Sequence, residues 1–218
     1  MKKKSINIFF MTTLILFFIH TALLFVNVRT MGTSNTEIGL SFINKLVSNV
    51  RYNEVLDKIS DILLIICILL IAFFAIVGGT QLIKRKNILK VDKEILSFGI
   101  LVIIMFLLWM LFDNVIVLNH RPILIDGNLE PSYPSTHIMI VTFVMLSAVS
   151  LLGRYYTNKK INYILISIAI SSIVLTVVLR IASGMHWITD CSGGLLLGLT
   201  LYYIFRISQT LGKRTALN

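Results

Sequence analysis

Apolar residues in this chain gather in six long blocks, at 6–28, 62–83, 95–118, 135–153, 161–181 and 187–205, instead of alternating with polar ones. Each block is close to the roughly 20 residues an α-helix needs to cross a hydrocarbon core of about 30 Å. An open strand in lipid would leave its backbone unpaired, so the blocks predict helices. No internal repeat or low-complexity linker divides them, and 1–218 reads as one domain, an all-α, polytopic six-helix membrane bundle. The first block follows Lys2, Lys3 and Lys4, as a signal peptide would. It is longer than an ordinary signal core and no small-x-small cleavage site follows, which predicts a retained helix. Between the first two blocks, over 38–50, Ile43, Leu46, Val47 and Val50 recur at helical spacing among Asn44, Lys45, Ser48 and Asn49. That pattern predicts an amphipathic helix at the outer interface, whose plain role is a connection packed on the bundle.

Composition makes lipid the solvent. The chain is 56% hydrophobic and 14% charged, with a mean hydropathy of +0.88, outside the range of soluble domains. The net charge of +10 comes from basic residues in short clusters between the blocks, such as Lys84, Arg85 and Lys86. This suits membrane orientation and not a nucleic-acid footprint. With both ends inside, 14 of the 20 basic residues fall on the inner side. Arg29, Lys45, Arg51, Lys58, Arg121 and Arg180 fall outside. The asymmetry predicts a multi-pass protein of the cell membrane with cytoplasmic termini. Cys67 and Cys191 form neither a disulfide framework nor a Cys-x-x-Cys metal motif.

Polar residues that a membrane protein usually avoids collect at the outer ends of the last four blocks. They are Asn119-His120-Arg121-Pro122, Pro131 through His137, and Arg180 followed by Ser183 through Asp190. Two arginines offer permanently charged planar forks suited to phosphate. Ser135 and Thr136 open a helix, where free N–H groups and the dipole favour an anion. His186 and Asp190 are four apart, so on a helix they share a face and the carboxylate can fix the imidazole tautomer. An oriented neutral histidine is a competent nucleophile toward phosphorus, and His137 on another helix is free to protonate a leaving alkoxide. No acidic cluster stands ready for magnesium, which leaves charge stabilisation to the arginines.

Arg121-Pro122, then Pro134-Ser135-Thr136-His137, then Arg180 with His186 six later and Asp190 four beyond it, resembles the type 2 phosphatidic acid phosphatase superfamily. The signature of that family is Lys-x6-Arg-Pro, Pro-Ser-Gly-His and Ser-Arg-x5-His-x3-Asp. The resemblance runs directly over 114–190, and the six-helix layout extends it along nearly the whole chain. It implies a metal-independent lipid phosphatase without a cofactor. His186 would form a phosphohistidine, Asp190 would orient it, and His137 would act as general acid and later activate water. Arg121, Arg180, Ser135 and Thr136 would hold the phosphate oxygens. The implied substrate is a lipid phosphate or diphosphate met at the outer face, of the undecaprenyl diphosphate, phosphatidylglycerophosphate or phosphatidic acid class.

Three positions depart from the signature: Asn114 stands for the lysine, Thr136 for the glycine and Leu179 for the serine. Asn114 can donate a hydrogen bond to phosphate but cannot neutralise it. The departures keep two alternatives in view, a non-catalytic lipid-phosphate binding or transport protein and a lipid phosphotransferase. Elsewhere, Gly194 and Gly198 predict close helix packing, and His20 predicts a polar contact between helices. Tyr155, Tyr156, Tyr202 and Tyr203 fit an interfacial belt.

Overall fold

The computed structural model describes residues 3–153 and 158–211; Lys2, Arg154, Tyr155, Tyr156, Lys213 and Arg214 of the reading above lie outside them. Among the described residues seven α-helices form in the order α1 (Lys3–Leu23), α2 (Ser41–Asn44), α3 (Glu54–Arg85), α4 (Lys93–Asn114), α5 (Thr136–Leu152), α6 (Lys159–Ala182) and α7 (Ile188–Leu211). A short antiparallel hairpin, β1 (Arg29–Met31) and β2 (Thr36–Ile38), joins α1 to α2. The fold is the expected helical membrane bundle. Among the described residues five helices, α1, α3, α4, α6 and α7, have the length and apolarity to cross a membrane. The fourth sequence block becomes the 17-residue α5, which the other helices enclose. Ten of its residues, including Ile138, Val141, Phe143 and Val144, are buried, and it packs chiefly on α7, α6 and α3.

Two expectations change. The amphipathic helix over 38–50 is only the four residues of α2, followed by turns. The helical face inferred for it is broken, because Leu46 is exposed while Asn44 is buried. Asn44 donates to Gly39 O and Thr189 Oγ1 and accepts from Thr189 N. A polar side chain drawn inward to α7 overrides the apolar period. The second difference lies in α3, which starts eight residues before its apolar block. Asn53 caps it by accepting from Leu56 N at 3.1 Å, with Glu54 and Asp57 in the first turn and Lys84 and Arg85 in the last. These charges suit the helix dipole at both ends. At 32 residues the helix is about 48 Å long, so its polar N-terminal turns extend past the span.

Small residues let α5 and α7 touch. A Cβ on Gly194 would lie 2.4 Å from Ser135 O, and one on Gly198 would lie 2.8 Å from Met139 O. This close crossing brings Ser135 N within 3.0 Å of Asp190 O. At the same end, the β hairpin covers the loop after α4, with Ser34 Oγ donating to Arg121 O and Thr33 Oγ1 to Pro122 O. Trp187, fully buried with Ile38 and Val47, donates from its ring N–H to His120 O at 2.8 Å. His20 lies between Tyr133 OH and Ser192 Oγ, the inter-helix polar contact expected of it.

The crossing predicts opposite outcomes for two helical glycines. Gly194→Ala forces a methyl group against backbone and lowers stability by about 1–3 kcal/mol. Gly79→Ala meets nothing within 4 Å and is neutral or stabilising by up to about 1 kcal/mol. Thermal unfolding in detergent distinguishes them, and equal behaviour would contradict the packing account.

Candidate active site

Five elements end where the polar residues collect: the C-termini of α4 and α6 and the N-termini of α3, α5 and α7. Gly184, at φ +74°, makes the turn that takes the chain from α6 to His186. A Cβ there would lie 3.1 Å from the backbone of Arg51 and in a conformation that costs other residues energy. His186 is buried, with Nδ1 3.5 Å from Asp190 Oδ2. At that distance the two groups approach without a hydrogen bond, and the carboxylate is held elsewhere. Asp190 Oδ2 accepts from Trp187 N at 3.0 Å and Oδ1 from Asn119 Nδ2 at 2.8 Å. The first bond is half of a capping box at the start of α7, so one carboxylate both caps its helix and faces the imidazole.

Arg180 is 1% exposed. Its Nη1 donates to Asp57 Oδ1 in a short ion pair and to Ser60 Oγ at 3.2 Å. Arg121 is partly buried, with Nε 3.0 Å from Glu130 Oε2 but off the donor direction, and Nη1 3.8 Å from Met185 Sδ. His137 shares a hydrogen bond with Asp61, Nε2 to Oδ1, at 2.9 Å. Ser135 precedes α5 and makes no side-chain cap, while Thr136 lines the cavity described below.

Eight buried side-chain nitrogen or oxygen atoms among the described residues have no hydrogen-bond partner. Five of them are here: Arg121 Nε, Arg180 Nε, His186 Nδ1, Ser132 Oγ and Ser135 Oγ. Buried polar groups are almost always paired, so this local concentration is unusual, and four of the residues can donate to an anion. Among the described residues no three His, Cys, Asp or Glu side chains converge as metal ligands.

A cavity of about 660 Å³ opens beside this cluster. Arg121, Ser132, Thr136, His137 and His186 line its polar end, and Leu64, Ile68, Ile71, Val102, Met105 and Phe106 its apolar walls on α3 and α4. Asn114 is not brought to it. Its side chain is exposed and donates back to Met110 O at 3.0 Å. The neighbouring Asp113 lines the cavity instead, because successive helical residues point about 100° apart. Leu179 is buried and apolar.

Asp57, Ser60, Asp61 and Glu130 were not anticipated, and Asn119 was placed at this end of the bundle without a role. The first three lie at i, i+3 and i+4, one face of a helix. Asn53 with Glu54 and Asp57 is a helix-start signal that could have extended α3 backward to include them.

Burial, with the Arg180 and Arg121 guanidiniums in support, holds the His186 imidazole well below its usual range. The ring is therefore neutral at pH 7. The unfolded chain takes up this proton first, at about pH 6.5. Stability from this residue is thus full above that pH and is lost as pH falls below it. The expected result is a Tm in detergent that drops on acidification below about pH 6.5, with a smaller drop in His186→Gln. An equal drop in both proteins would contradict the assignment.

No curated protein matches the chain. Its backbone is similar to that of a solved structure described as the first transmembrane PAP2 type phosphatidylglycerolphosphate phosphatase from Bacillus subtilis. The TM-score is 0.65 at 19% sequence identity, covering 94% of this chain and 96% of that one. That likeness establishes the shared fold. The family model described as the PAP2 superfamily matches residues 95–213, more than half of the chain and the part that carries all three motifs. The chain belongs to the PAP2 superfamily.

Proposed function

We propose that this protein hydrolyses a phosphate monoester or diphosphate on a membrane lipid, without a metal, through a phosphohistidine at His186. The observation that carries the reading is the cavity, lined at one end by Arg121, Ser132 and His186, each with a buried atom that makes no hydrogen bond, and at the other by apolar walls. The headgroup meets Arg121, Arg180, Ser135 and the start of α5 at Thr136, while the chain lies between α3 and α4. His186 attacks phosphorus and the bond to the lipid oxygen breaks, with His137 giving that oxygen its proton. His137 then takes a proton from water as the water attacks phosphorus, the phosphorus–nitrogen bond breaks to restore His186, and phosphate leaves. Arg121 and Arg180 balance the charge that develops on the phosphoryl oxygens, and Asp190 faces the imidazolium side of His186. Asn114 has no part in this scheme.

A second apolar groove of about 390 Å³ runs further along α3 and α4 and shares Ile71 and Val102 with the first cavity. From Leu64 to Leu82 the combined cleft follows α3 for about 27 Å, close to the full hydrocarbon thickness. This supports a long-chain substrate, and undecaprenyl diphosphate ahead of phosphatidylglycerophosphate and phosphatidic acid. The basic-residue asymmetry supports a site on the outer face of the cell membrane with cytoplasmic termini, as recycling of an outward-exposed lipid carrier requires.

Phosphate release from these three lipids in detergent with EDTA tests the proposal. Release should persist with EDTA and fall on the order of a thousandfold or more in His186→Ala. Loss of wild-type release on chelation would contradict it, as would a phosphorylated lipid acceptor in place of free phosphate, which would indicate a phosphotransferase.

A further inference from the structure

The N-terminal turns of α3 belong to none of the three motifs, and the family match begins only at residue 95. Yet this helix grips two of the motif residues. Asp57 and Asp61, one turn apart on α3, hold Arg180 on α6 and His137 on α5. The Arg180 contact is a buried guanidinium with its counter-ion. The His137 contact is of another kind, because its partner is a group that must change protonation during turnover.

Several charges face the His137 ring. Arg180 from α6 and Arg121 from the loop after α4 are both near enough to act on it, and His186 lies across the cavity. Burial first, and then the two guanidiniums, oppose a proton on this imidazole. Asp61 is the carboxylate bonded to the ring, at 2.9 Å from Nε2, and is half exposed where His137 is largely enclosed.

We propose that Asp61 is a positioning residue for proton transfer: it accepts the Nε2 proton of His137, leaving Nδ1 as the atom that exchanges protons with the lipid oxygen and with water. This rests on the phosphatase reading given above. In the first step the bond from phosphorus to the lipid oxygen breaks, and the Nδ1 proton passes to that oxygen. His137 is left neutral with its Nε2 proton still on Asp61. In the second step Nδ1 takes a proton from the attacking water, and the carboxylate compensates the imidazolium that results. Asp61 gains and loses no proton over the cycle. It fixes which nitrogen reacts, as the carboxylate partner of a metal-bound or catalytic histidine does elsewhere.

The role predicts a dependence on leaving group that a purely structural contact would not produce. An alkyl lipid phosphate leaves as a strongly basic alkoxide and needs the proton; nitrophenyl phosphate leaves as a stabilised phenolate and does not. In the first turnover of full-length protein in detergent, Asp61→Asn should slow release from a long-chain alkyl phosphate about tenfold to a hundredfold. KM should change little, and the nitrophenolate burst should stay within about threefold of wild type, since no proton is required. Asp61→Glu, which keeps the charge, should recover most of the alkyl rate. An equal loss on both substrates, or no loss on the alkyl ester, would overturn the role of Asp61 and leave the phosphatase reading intact. A wild-type protein inactive on both esters would overturn the two together.

Discussion

A guanidinium that is almost wholly buried at the end of an apolar bundle needs a carboxylate within reach, and much of this site follows from that need. Removing the partner of a buried charge costs on the order of 3–5 kcal/mol, because the remaining charge stays desolvated. Arg180 on α6 therefore requires Asp57, and Asp57 requires α3 to begin turns before its apolar block does. Once α3 is extended that far, Asp61 reaches His137 on α5. The arginine end of the site and the histidine end are thus held by one helix that carries no motif residue.

The second constraint is steric. α5 and α7 can cross closely only where side chains are missing, and Gly194 and Gly198 supply that opening against the backbone of Ser135 and Met139. The crossing sets the start of α5 against Asp190, whose carboxylate is shared between the Trp187 amide and Asn119. The bond from Trp187 N to Asp190 both caps α7 and fixes the carboxylate that faces His186. Of the residues with a buried atom left without a hydrogen bond at this end of the bundle, Arg121, Ser132 and His186 line the cavity, while Arg180 and Ser135 lie behind its lining.

Local spacing was legible in the sequence. Block lengths announced the helices and the glycine pair announced the crossing, but His186 comes within 3.5 Å of Asp190 from the turn before α7, without a hydrogen bond, and not from the shared helix face that the interval suggested. Partnerships across the bundle were not. Asp57 and Asp61 looked like residues of an outer loop, since apolar blocks mark where lipid begins and not where a helix begins. Asn44 was assigned to the polar face of an interfacial helix, because periodicity does not reveal that Thr189 would satisfy it inside the protein. Asn114 occupied the right place in a motif, yet its rotation about α4 turns it away from the cavity and brings Asp113 in. The sequence interval was correct and the direction of the side chain was not contained in it.

The central claim is that phosphate passes through His186 before it reaches water. Two successive in-line displacements restore the configuration at phosphorus, whereas direct attack by water inverts it. The most direct measurement is the stereochemical course of hydrolysis of a lipid ester of chiral thiophosphate in isotopically labelled water. Net retention is the predicted result, and net inversion would contradict the phosphohistidine route.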